Sequence, residues 1–151
     1  VNRRRRLPPV CRKEIGKYGK KEESDRMNQG TAFGKVTPIL RMFDVGKTKE
    51  FYLDFLGFQV DWEHRYEEGL PLYMQISRGE CILHLSEHYG DGSPGAAIRI
   101  EVSGIERLHA GLIAKSFKFA RPGLETTPWG SKEMTVTDPS GNRLNLYEQS
   151  R

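Results

Sequence analysis

Two cysteines in 151 residues, Cys11 and Cys81, are too few for a disulfide scaffold, and they stand in no C-x-x-C or zinc-like spacing. Both are expected to be reduced thiols, with Cys81 a small buried side chain inside an apolar run. No apolar stretch approaches the roughly 20 residues that a membrane-spanning helix needs. The arginine-rich start also lacks the apolar segment of a secretory signal, so the expected location is the cytoplasm, without a membrane partner. No G-x-S-x-G, P-loop or dinucleotide fingerprint is present, which leaves nucleophilic catalysis and phosphoryl transfer without support. What remains, 36% apolar and 29% charged, suits one ordinary globular domain with a continuous core.

The net charge of +4 raises the question of nucleic acid, and its distribution answers it. Residues 1–26 hold ten of the 24 Lys and Arg against four acids, whereas residues 27–151 hold 14 basic against 16 acidic side chains. The positive charge therefore belongs to a basic leader, residues 1–35, and the rest is slightly acidic. No aromatics interleave with the Arg run, so a solvated, disordered tail is favoured over a nucleic-acid arm. Lys21-Glu22-Glu23 can be encoded as AAG GAG GAG, a ribosome-binding sequence shortly before Met27. On that ground translation is expected to start at Met27, with the residues before it read from upstream message.

From Val36 onward one pattern occurs twice. Val36 to Phe43 is β-prone, Asp44-Val45-Gly46 punctuates it, and Lys47 to Leu56 sets Phe51, Tyr52, Phe55 and Leu56 on one helical face. Gly57 ends that helix, Phe58 to His64 resumes extended structure, and Leu72 to Ser77 and Cys81 to Glu87 form a hairpin around Arg78-Gly79-Glu80. The second half opens with a strand near Ala96. Ser103 with Glu106 predicts a capping box, followed by a helix striped by Ile105, Leu108, Leu112 and Ile113. Strands are predicted at Phe117 to Ala120, Glu133 to Thr137 and, after the Asp138-Pro139-Ser140-Gly141 turn, Arg143 to Glu148. Equivalent points lie about 60 residues apart, too long a period for a solenoid. The expected class is α+β: one domain over residues 36–148, made of two tandem βαβββ modules, 36–90 and 96–148, that form a cupped, partly closed sheet.

This duplication, with Thr37-Pro38-Ile39-Leu40 leading to Asp44-Val45, Glu50-Phe51-Tyr52, Leu56-Gly57-Phe58, Pro128-Trp129-Gly130, Asp138-Pro139-Ser140-Gly141-Asn142 and Leu146-Tyr147-Glu148, resembles the vicinal-oxygen-chelate superfamily of glyoxalase I, extradiol dioxygenases and bleomycin-resistance proteins. Its strongest likeness is to the bleomycin-resistance branch. The resemblance implies that each module curls around a cavity and that two chains pair as a homodimer to complete two grooves. It also implies that enzyme members hold a divalent metal with four side chains from the first and last strands of each module. Those places fall here on Thr37, His84, Ala97 and Asn145. Ala97 cannot coordinate and Thr37 and Asn145 are weak neutral oxygens, so no metal and no other cofactor is expected.

His84-Leu85-Ser86-Glu87-His88 spells H-x-x-E-H, but on a strand its two histidines stand roughly 13 Å apart, too far for one metal. A histidine in a half-buried sheet is more often satisfied by hydrogen bonds, and that reading stands beside a ligand role for His84. The resistance proteins place aromatics near Trp62 and Trp129 that sandwich a flat drug. Trp129, in its Pro-Gly setting, is expected in the groove, whereas Trp62 could serve groove or core. Asp61, Glu63, Glu67, Glu68 and Glu133 near the two indoles would favour a cationic ligand. The expected function is metal-independent sequestration of bleomycin-like or other planar, cationic small molecules, with Trp62, Trp129, His84, Thr37 and Asn145 as ligand-binding residues and no catalytic residue. The alternative is a metal-dependent, glyoxalase-like lyase or transferase.

Overall fold

Alternation of apolar and polar side chains governs the architecture, because the strands over Tyr73–Arg78, Cys81–Ser86, Ser131–Thr137 and Arg143–Gln149 bury alternate apolar residues in the core and turn their neighbours outward. The computed structural model describes residues 30–149. The basic leader, Cys11 and the expected start at Met27 lie almost wholly outside them. From Thr37 onward the chain is one unit built of two sheets.

In the first module, β1 (Ile39–Arg41) is followed by helix α1 (Val45–Lys49), which widens into a π-helical stretch over Glu50–Phe55; β2 (Gln59–His64), β3 (Tyr73–Arg78) and β4 (Cys81–Ser86) complete it. The second repeats the order with β5 (Ala97–Glu101), α2 (Ile105–Ala114), β6 (Glu125–Thr126), β7 (Ser131–Thr137) and β8 (Arg143–Gln149). The sheets run β1-β4-β3-β2 and β5-β8-β7-β6, each with a parallel first pair and antiparallel remainder. Two tandem βαβββ modules of α+β class are thus present.

Asp44 opens α1 as its N-cap, with its carboxylate accepting from the Lys47 amide at 2.8 Å. Phe51, Tyr52, Phe55 and Leu56 are all buried, as their spacing predicts. The π widening carries no signal in that spacing. The hairpin between β3 and β4 has a two-residue loop, since Arg78 pairs with Cys81, and only the first loop residue, Gly79, has positive φ. That is the pattern of a type II′ turn, whose first central position favours glycine.

Three local expectations are corrected. Phe117 to Ala120 is not a strand: Phe117 leaves α2 to stack on Phe55 at 4.6 Å between ring centroids, and the short sixth strand forms later, at Glu125–Thr126. Burial against the first helix overrides local β-propensity there. The predicted Ser103 and Glu106 box does not form. The N-cap of α2 is Gly104 in the left-handed region, and the Glu148 carboxylate takes the Gly104 and Ile105 amides at 2.8 and 2.9 Å. These two bonds hold the Glu148 carboxyl below its ordinary range. Glu106 instead pairs with Lys132. Ile113, assigned to the apolar stripe, is 43% exposed.

The modules share one core, in which Leu40, Met74, Ile76, Leu83 and Leu85 of the first lie with Ile105, Leu112, Met134, Val136 and Leu144 of the second. A polar tie crosses between them. Asp138, almost fully buried, accepts from the Tyr52 hydroxyl (2.8 Å), the Ser140 and Asn142 amides (2.9 and 2.8 Å) and the Asn142 side chain (2.8 Å). Asn142 also donates to the carbonyl of Arg41, and Ser140 accepts from the Phe43 amide. Burial first, then the charge and hydrogen bond of Asp138, push the Tyr52 hydroxyl well above its ordinary pKa. Replacing Tyr52 by Phe keeps the ring but removes one donor from a buried carboxylate. Urea denaturation at neutral pH is expected to show a loss of about 1–3 kcal/mol, and an unchanged midpoint would contradict this role.

Candidate functional site

The helices and core cover one side of each sheet, and among the described residues no element covers the other side. On the open side of the first sheet, Trp62, Tyr73, Gln75 and His84 come together. A bulge between Val60 and Trp62 sets Trp62 opposite Gln75, so that Asp61 and Trp62 both serve this face. The Trp62 ring stacks on Tyr73 at 5.9 Å between centroids, with the planes 9° apart, and His84 meets it edge-on at 5.3 Å. Trp62 remains 42% exposed, so of its two readings the core one does not describe it.

Both nitrogens of His84 are engaged: Nδ1 lies 2.7 Å from the Tyr73 hydroxyl and Nε2 3.0 Å from Gln75 Oε1. Because Gln75 Oε1 can only accept, Nε2 carries the proton and Nδ1 accepts from Tyr73. Burial is the main cause of the raised pKa of Tyr73, with the charge of Asp91 behind it. Asp61 accepts from the Gln75 amide at 3.0 Å and the Ser77 hydroxyl at 2.8 Å, bonds that hold its carboxyl below the ordinary range. The polar side chains around the indole thus form one linked chain, Asp61, Gln75, His84 and Tyr73.

The open side of the second sheet is organised around Arg99. Its guanidinium lies over the Tyr147 ring at 4.1 Å and binds the Glu133 carboxylate at 2.7 and 3.3 Å. Arg99 first, then the Ser131 hydroxyl, hold Glu133 down at about 2. Trp129 projects from the turn between β6 and β7, in which the Gly130 amide returns to the Thr127 carbonyl and Gly130 has φ of +82°. Its indole N–H reaches Glu133 at 3.4 Å, and the residue is 67% exposed.

The four places implied for a metal do not fit one. Thr37 precedes β1, and the β1 residue paired with His84 is Ile39, which has no donor atom. Ala97 also has none. Asn145 pairs with Arg99 in the parallel ladder and accepts from Thr135 through its side-chain oxygen. The Asn145 oxygen is a weak neutral donor already engaged by Thr135, and both His84 nitrogens are already bonded. Among the described residues, no three His, Cys, Asp or Glu side chains cluster as a metal cage. His88 lies beyond the end of β4, in keeping with a strand rather than a helical H-x-x-E-H site.

Of the five acids expected beside the indoles, two are paired among the described residues, and Asp61 keeps its charge. Glu133 pairs with Arg99, Glu63 pairs with Lys49 on the helix side, and Asp61 is tied up by neutral donors. Sequence reasoning missed Tyr73, Gln75, Arg99 and Tyr147; the alternation of β3, β5 and β8 could have placed them on the same faces as Trp62 and Asn145. Because the Glu133 value in the folded chain lies below the ordinary 4.5, its arrangement stabilises the fold above that pH and loses its effect as pH falls toward about 2. Changing Arg99 to Ala is expected to raise the Glu133 titration midpoint toward 4.5, followed by carboxyl-carbon NMR; an unmoved midpoint would contradict the pair.

Comparison with known proteins agrees with this fold. The family model described as "Glyoxalase superfamily protein" matches residues 22–151. Bleomycin resistance proteins of Geobacillus stearothermophilus and Staphylococcus aureus are each 27% identical, over 74% of this chain and 94% of theirs. A bleomycin-binding protein from Streptomyces verticillus, solved with copper(II)-bleomycin, is 25% identical with a TM-score of 0.59, covering 80% of this chain and 99% of that one. A glyoxalase-related enzyme from Clostridium phytofermentans shares the fold at 22% identity and a TM-score of 0.63, over 81% and 99% of the two chains. The chain belongs to the glyoxalase superfamily, and within it is similar to the bleomycin-resistance proteins.

Proposed function

We propose that this protein is a metal-independent binding protein of the antibiotic-resistance type, which sequesters bleomycin-like or other planar, partly cationic small molecules as a cytoplasmic homodimer. The observation that carries the reading is an exposed indole already stacked on Tyr73 and flanked by His84, on a sheet face over which no helix of the described residues lies. A flat ligand laid on that surface gains stacking and cation-π attraction in addition to apolar burial, each about 1 kcal/mol. The ring neighbours of Trp62 belong to the first module and the hydrogen-bond partner of Trp129 to the second. In a homodimer, the first sheet of one chain would face the second sheet of its partner. Each of two grooves would then set Trp62 and His84 against the partner's Trp129 and Asn145, with Thr37 at the rim. Capture is stoichiometric and needs no catalytic residue. With Glu133 paired to Arg99, most of the selecting falls to the aromatic faces, and the charged Asp61 carboxylate next to Trp62 adds attraction for a cation.

The alternative, a metal-dependent lyase or transferase, would require donors that Ile39, Ala97 and the Arg99 guanidinium do not supply. Metal analysis separates the two: one tightly held divalent ion per chain would favour the enzyme. Tryptophan fluorescence titration with bleomycin tests the preferred reading. Quenching that saturates is expected, and none at high micromolar drug would remove bleomycin as a ligand. Trp129→Ala is expected to weaken binding by about 1–3 kcal/mol, roughly five- to 150-fold, and unchanged affinity would contradict the sandwich.

A further inference from the structure

On the helix side of the molecule, away from both indoles, two cavities of about 500 and 550 Å³ adjoin along the seam between the modules and share Arg78, Ser103 and Leu108. Among the described residues, the first is lined by three cations, Arg78, Arg107 and Lys115, and by no carboxylate. Among the described residues, the ion pairs involve none of the three. Two are fixed in place. Lys115 donates to the Asp54 and Phe55 carbonyls at 2.8 Å each, and Arg78 donates to the Leu56 carbonyl, so both close the C-terminal end of the first helix. Lys115 keeps one N–H in reserve and Arg78 keeps most of its fork. The start of α2 offers no further donor at its first two amides, which Glu148 already occupies.

The second cavity is different in chemistry. Leu56, Phe58, Cys81, Ile100, Leu144 and Leu146 supply an apolar wall, while Glu80 and Glu101 stand on its lining. Burial raises the Cys81 thiol pKa, in keeping with an apolar setting. A cationic end without acids joined to an apolar end bearing two carboxylates has a direction. It suits one negative head beside Arg107 and Lys115 with an apolar body along the wall, and it opposes a second negative charge at the far end. Each volume falls in the usual range for small-molecule sites.

We propose that this seam is a second binding site, separate from the indole faces, for an amphipathic monocarboxylate of fatty-acid type. Cys81 supplies the readout, because a body lying along the wall would cover it. Alkylation by iodoacetamide, with Cys81 resolved from Cys11 by peptide mass, is to be timed on the full chain with decanoate, decanol or decyltrimethylammonium. Saturable slowing of Cys81 by decanoate is expected, with weaker slowing by decanol and none by the cation. Arg107→Glu, at an exposed position outside the core, is expected to raise the half-protecting decanoate concentration about tenfold or more, whereas Trp62→Ala leaves it unchanged. No protection at millimolar decanoate, equal protection by the cation, or an unchanged value for Arg107→Glu would overturn the proposal. Loss of protection in Trp62→Ala would place the probe on the open sheet faces instead and overturn it equally.

Discussion

A buried carboxylate, that of Asp138, ties the two modules together. A charge in that position is tolerated only if hydrogen-bonded throughout, and four donors satisfy it, one of them the Tyr52 hydroxyl from the other module. Asn142 extends the tie to the carbonyl that ends β1. The Asp-Pro-Ser-Gly-Asn turn is therefore more than a reversal between β7 and β8. It fixes β1 and the first helix against the end of the second sheet, where apolar packing alone would allow sliding.

With the modules held helix side to helix side, period-2 alternation decides the rest. Met74, Ile76, Leu83 and Leu85 enter the common core, and their neighbours Tyr73, Gln75 and His84 are obliged to face the other way. The same holds for Met134, Val136 and Leu144 against Glu133, Thr135 and Asn145. Two polar, aromatic-bearing faces follow from one core. Their side chains are mutually bonded into stiff sets, Asp61 to Tyr73 on one and Arg99 to Trp129 on the other, which lowers the ordering cost of receiving a flat ligand.

The duplication, the α+β class and most strands were legible because long apolar alternation and turn residues are local signals. The cap of α2 was not, since its acceptor, Glu148, lies 44 residues from Gly104. Phe117 likewise obeys a contact with Phe55 that no local pattern contains. At the candidate site, sequence singled out both indoles and His84 as candidates, and Ala97 and Asn145 as poor metal donors. It did not show that Glu133 spends its charge on Arg99, because that pairing depends on which β5 and β7 residues share a face.

The central claim, that each groove combines Trp62 of one chain with the partner's Trp129, is tested most directly by mixing two defective variants. Trp62→Ala and Trp129→Ala proteins are each to be titrated with bleomycin alone, then unfolded together, refolded and titrated again. Mixed dimers would contain one groove with both indoles and one with neither, so the account predicts that tight binding returns on mixing, at a fraction of the wild-type stoichiometry. A mixture that binds no more tightly than the separate variants would contradict it.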